Sequence, residues 1–160
     1  MINGDDIYGE NVFIEGFELL QNVDDSTSII GGLKLKDSLP ESGKVNRGVV
    51  FVEENKVVGM KEILNIDSAN TKHIEDLGDM IANVNFIGLQ NNALEKINNL
   101  NVEFKKKNEG DMKIESLLTD HINSLIINKD IKMEYFVIKN KIYGITNPED
   151  EESLKNILCS

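Results

Sequence analysis

Gly48-Val49-Val50-Phe51-Val52, then Glu53–Lys56, then Val57-Val58-Gly59-Met60, is the stretch whose reading decides the fold class. Two runs rich in valine on either side of a short polar link predict an antiparallel hairpin. The β-branched first run suits a strand buried on both faces. The second continues through Lys61-Glu62-Ile63-Leu64, where alternation gives one wet face.

Upstream of this hairpin, Asp37–Asn46 holds Pro40, Ser42 and Gly43 and reads as a loop. Ser28–Lys36 reads as a strand anchored by Ile30, Leu33 and Leu35, with Gly31-Gly32 marking a close backbone approach. Asp24-Asp25-Ser26 is turn chemistry. Val12-Phe13-Ile14 and Phe17–Leu20 predict strands on either side of a bend at Gly16, so residues 12–64 form a meander.

Downstream, Ile74, Leu77, Ile81 and Val84 recur at helical spacing and predict a helix over 70–84, capped by Ser68 or Asn70, breaking near Asn83–Gly88. Residues 88–110 read as a connection with a helical piece at Asn91–Leu100 and a solvated end, Lys105–Gly110. Asp111 then caps a helix whose inner stripe is Ile114, Leu117, Leu118, His121, Ile122 and Leu125. Met133–Ile138 alternates as a strand, Asn140-Lys141 turns, and Ile142–Ile145 returns. Asn147 and Pro148, followed by Glu149–Glu152 at the positive end of the helix dipole, start a last helix to Leu158. The expectation is an α+β fold with a single central antiparallel sheet flanked by helices. It forms one domain over 1–160: meander and helix to 87, linker 88–110, then helix, hairpin and helix over 111–160.

The 160 residues carry a net charge of −11, which opposes nucleic acid and anionic membranes and suits a partner with a basic or mixed surface. No apolar run approaches the roughly 20 residues that span a bilayer. With a single cysteine, Cys159, no internal disulfide can form, and a cytoplasmic location is the expectation. Neither His73 nor His121 forms a His-x-x-x-His pair, so no zinc spacing exists and no cofactor is expected. Nucleophile, base and metal set all lack a candidate, which argues against an enzyme.

Gly48–Asn83 resembles the C-terminal half of profilin: a Gly-led strand, a tight turn, a strand ending Gly59-Met60-Lys61-Glu62, and a helix from Asn70 through Asp79. Phe13–Gly16 and Ile29–Gly32 sit at spacings similar to profilin's strand glycines. Ile114–Leu125, Phe136–Gly144 and Pro148–Leu158 resemble profilin's first helix, first hairpin and following helix. The halves stand in swapped order, so the resemblance is to a circularly permuted profilin, with 88–110 joining the old ends.

That resemblance implies a profilin-like regulator of actin polymerisation that binds monomeric actin. The positions falling on the implied face are Lys34, Lys36, Lys56, Lys61, Asn70, Lys72, His73, Glu75 and Asp79, of which Asn70 and Glu75 match the family pattern best. As plain chemistry Asn70 is also a helix cap, and Glu75 and Asp79 a solvated helix face. The chain departs from the family in lacking Trp, with only Tyr143 at a matching aromatic position, so binding of proline-rich peptides is not implied. Two other readings stay open: a roadblock- or longin-like scaffold, predicting an exposed apolar helix face and a homodimer, and an acidic interaction or inhibitor domain acting on a basic partner.

Overall fold

The valine-rich hairpin forms as read, and in the computed structural model it supplies two of the five strands of a curved sheet that closes on itself. The structure describes residues 1–39, 43–67, 80–144 and 154–155. In chain order the elements are β1 (Asp6–Ile7), α1 (Glu10–Asn22), β2 (Thr27–Lys34), a 3₁₀ turn (Leu35–Ser38), β3 (Val45–Glu53), β4 (Lys56–Ile66), β5 (Ile81–Gly88), α2 (Asn91–Lys107), α3 (Leu118–Ile127), β6 (Lys132–Val137) and β7 (Tyr143–Gly144). Five strands close in the order β2-β5-β3-β4-β6.

The architecture is α+β, but the sheet is mixed rather than wholly antiparallel. β6 lies parallel to β2, pairing Thr27 with Lys132 and Gly32 with Val137, and meets β4 antiparallel at Lys56 and Glu134. The expected profilin-like order in a single antiparallel layer is therefore not this fold. A parallel pair needs a crossover, and here the path from β2 to β6 includes the β3–β4 hairpin, β5, α2 and α3.

Alternation along the strands sorts side chains into two faces. On one face, Ile30, Val50, Met60, Ile81, Ile87 and Met133 pack with Ala93 and Ile97 of α2 and Ile122, Leu125 and Ile126 of α3. On the other, Ile29, Phe86, Phe136 and Ile138 pack with Tyr8 and Val12. Asn123 on α3 fixes the helix to β4 by accepting from the Met60 N–H at 2.8 Å. A third cluster, Leu35, Val49, Ile66 and Ala82, gathers around the 3₁₀ turn.

Four local expectations are corrected. Residues 12–20 form α1, not strands. Their burial repeats at helical spacing, with Val12 and Gly16 inward, and β-branched content yields to tertiary packing. Ile81–Gly88 is β5, not a helix end: Ile81 and Ala82 pair with both β2 and β3. The helix expected from Asp111 begins only at Leu118, leaving Ile114 and Leu117 exposed. The strand at 142–145 does not return on β6; Tyr143–Gly144 pairs instead with Asp6–Ile7. The connection at 88–110 is mostly the 17-residue α2. Most of the expected 70–84 helix and of the last helix, like Cys159, lies outside the described residues. Within the last helix, Leu154–Lys155 is helical and Leu154 is buried.

Tyr8 joins the N-terminal ribbon to β5. Its hydroxyl donates to the Val84 carbonyl at 2.7 Å and accepts from the Asn3 N–H at 3.2 Å, with an Asp6 carboxylate oxygen 3.4 Å away. Burial first, and then the Asp6 charge, push the phenol above its ordinary 10.0. The native state thus holds this proton more tightly than the unfolded chain. That contribution to stability is complete below the unfolded value and is lost as pH rises through the folded one. Urea unfolding of the native chain should therefore show a stability decline above pH ~10, smaller in Tyr8→Phe. The variant should also lose about 1 kcal/mol at neutral pH with the hydrogen bond.

Candidate functional site

Helix α1 lies across β2 and β5 because a glycine lets it. A Cβ at Gly16 would sit 2.5 Å from Phe86 Cε1 and 2.9 Å from its Cζ, so only a bare backbone can approach the ring this closely. The Phe86 ring stands edge-on to Tyr8 and Phe13, each with centroids 5.6 Å away, and to Phe136 at 5.7 Å. These edge-to-face contacts fix the seat of the helix.

Seating Gly16 inward turns other apolar residues of α1 outward. Phe13, Ile14 and Phe17 are 45%, 51% and 62% exposed. With Met1 and Ile2, the two phenylalanines flank a shallow apolar groove of about 310 Å³ floored by Ile29, Phe86 and Gly88. The backbone of Met1 pairs with Ile87, accepting its N–H at 2.9 Å, which holds the N-terminal strand of chain against β5. Around this face stand the exposed Glu10, Glu15 and Glu18, and α1 contains no basic residue. The arrangement is an apolar strip in an acidic frame, on a helix whose position is rigidly set.

Of the residues singled out in the sequence, four lie among the described residues. Lys34 and Lys36 sit together at the rim of a second, polar cleft of about 940 Å³. Lys56 and Lys61 are exposed on β4 and do not line that cleft. Asn70, Lys72, His73, Glu75 and Asp79 lie outside the described residues. What residue-by-residue reading missed is the exposed side of α1. Its signal was the i, i+4 pair Phe13 and Phe17 beside three glutamates, hidden once the segment was read as two strands.

One contact has the look of catalytic chemistry. Ser116 Oγ lies 2.7 Å from His121 Nε2. The same hydroxyl donates to Asn101 Oδ1 at 3.1 Å, and the serine is exposed, so the contact reads as a surface tether. The Phe104 ring meets His121 edge-on with centroids 6.2 Å apart, and the group ties the 111–117 segment to α2. Among the described residues no three His, Cys, Asp or Glu side chains gather as a metal site needs, and no helix is long and apolar enough to cross a membrane.

No protein-family model and no curated protein matches the chain.

Proposed function

We propose that this chain is a non-enzymatic protein-interaction domain. Its docking face is the outer side of α1, and its partner presents apolar side chains framed by basic ones. The observation that carries this reading is the exposure of Phe13, Ile14 and Phe17 on a helix pinned from beneath. Contiguous exposed apolar surface bordered by charge marks an interaction site. Aromatic side chains supply most of the binding energy in such patches. Glu10, Glu15 and Glu18, on a chain of net charge −11, select a basic partner and speed the encounter.

The test uses a synthetic amphipathic helix with leucines on one face and lysines on the other. Titrated into ¹⁵N-labelled protein, it should shift the amides of α1 and Gly88, with affinity falling as salt is added. Phe17→Asp should weaken binding by about 2 kcal/mol or more, yet leave stability within about 0.5 kcal/mol because the ring is exposed. Peptide shifts spread evenly over the acidic surface, or an unaffected Phe17→Asp, would defeat the proposal.

A scaffold that pairs with its own copy is the second reading, favoured by the same exposed helix face. Light scattering separates the two, since three glutamates per copy disfavour self-pairing until salt screens them. The actin-monomer reading now leans on segment resemblance alone, because the sheet order does not supply it. A pyrene-actin polymerisation assay with this protein in excess decides it.

A further inference from the structure

We infer that the cleft formed by the ends of β2 and β6, the 3₁₀ turn and the β5 bulge is a second binding site, for a small organic phosphate. The chain carries net charge −11, yet five of its 17 basic residues line this one cleft: Lys34, Lys36, Arg47, Lys139 and Lys141. Arg47 is the only arginine in the sequence. Opposing them are two carboxylates, Asp6 and Asp37. Asp6 already takes the Asn3 side-chain amide at 2.9 Å. Among the described residues, ion pairs join Lys96 to Asp130 and Lys132 to Asp24, and no cation of the cleft is paired with a carboxylate. Five cations set against two carboxylates leave an excess of positive charge, arranged for a ligand that supplies the balance.

The cleft is built as well as charged. Arg47 Nε and Nη2 donate to the Ser38 carbonyl at 3.3 and 3.0 Å, and Nη1 donates to the Asn46 carbonyl at 3.2 Å. These bonds hold the guanidinium plane and leave its remaining N–H groups without a partner among the described residues. A fixed guanidinium recognises the paired oxygens of a phosphate better than a mobile ammonium does. Lys141 Nζ stands 5.2 Å over the Tyr143 ring. On the opposite wall the β5 bulge is locked by its own side chains: Asn83 Oδ1 accepts the Asn85 N–H at 2.8 Å, and Asn83 Nδ2 donates to Asn85 Oδ1 at 3.1 Å. Leu33, Val84 and Ile142 add an apolar wall for a carbon skeleton.

Size selects the ligand class. A volume of about 940 Å³ fits a single metabolite-sized molecule. A long polyanion would run out over the acidic remainder of the surface and be repelled. A compact one stays within the local positive field, because charges beyond about 8 Å are screened at physiological salt.

Pyrophosphate, the simplest multivalent probe, should give saturable ¹⁵N shifts at Leu33, Lys34, Asn83 and Lys139. Lys139→Gln combined with Lys141→Gln changes only exposed side chains and should weaken binding about tenfold with folding unchanged. The control, Lys105→Gln with Lys106→Gln on exposed α2 positions, should bind like the native chain. No saturation, an equal loss in the control, or tighter binding of citrate or of a single-stranded oligonucleotide than of pyrophosphate would overturn the assignment.

Discussion

Replacing Gly32 by alanine is expected to lower stability by about 3 kcal/mol, a fall in melting temperature of roughly 6–12 °C for a chain of this size. Gly32 lies between β5 and β6, opposite Asn83 on one side and Val137 on the other. A Cβ there would overlap Ile81 Cγ2 and stand 2.5 Å from the Ala82 carbonyl oxygen. A side-chain methyl could rotate away, but a ladder carbonyl cannot, so the strands themselves must part. The consequence reaches the cationic cleft and the Tyr8 anchor. The register between β2 and β5 jumps at this point, from Gly31 opposite Phe86 to Gly32 opposite Asn83, and Val84 and Asn85 bulge between them. Asn85 takes φ 59° there, and bulges of this kind re-aim side chains at functional sites. One wall of the cationic cleft and the carbonyl that receives the Tyr8 hydroxyl both come from this bulge. Thermal and urea unfolding should show the loss, while Gly4→Ala, whose Cβ would meet nothing within 4 Å, should be neutral. Equal stability of Gly32→Ala and the native chain would mean that the bulge is not where the sheet is held.

What could be read from the sequence was what local chemistry decides. The β3–β4 hairpin was legible because Val49, Val50, Val57 and Met60 declare buried strands without reference to distant residues. β2 was legible with its Gly31-Gly32 approach for the same reason, and β6 through its alternation. α1 was not, because Val12-Phe13-Ile14 favours strand by composition and Gly16 reads as a strand bend. What makes it helical is an aromatic ring contributed 70 positions later, at Phe86. β5 was missed from the opposite direction. Ile81 and Val84 continue a helical spacing from Ile74 and Leu77, and only pairing to β2 and β3 shows that the periodicity ended. Of the cleft cations, the sequence points Lys34 and Lys36 toward another partner, while Lys141 reads with Asn140 as a hairpin turn. That reading failed because the strand after them pairs with β1, which leaves 139–142 stretched along the cleft.

The seat of α1 can be tested as a pairwise coupling. Phe86→Ala alone is expected to cost about 3–5 kcal/mol, since the ring is 7% exposed and bears on Tyr8, Phe13 and Phe136. Gly16→Ala alone sets two effects against each other. Alanine favours the helix by about 1 kcal/mol, but its Cβ would lie 2.5 Å from Phe86 Cε1, and the three surrounding rings prevent Phe86 from yielding. Overpacking of this kind costs about 1–3 kcal/mol, so the single variant should be less stable than the native chain. In the Phe86→Ala background the ring is gone, the cavity accepts the methyl, and only the helix preference remains. There the same Gly16→Ala substitution should become stabilising. The sign reversal, amounting to about 2 kcal/mol of coupling, is what close packing between α1 and β5 requires. A clash relieved by a small helix shift would give the single variant near-native stability and nearly additive effects. Under the proposed function the two cases also differ in binding. A helix held against Phe86 presents Phe13 and Phe17 as a fixed pair, and Phe86→Ala should weaken the basic amphipathic peptide even under conditions where the variant is fully folded. A helix that merely rests on the sheet would keep its affinity.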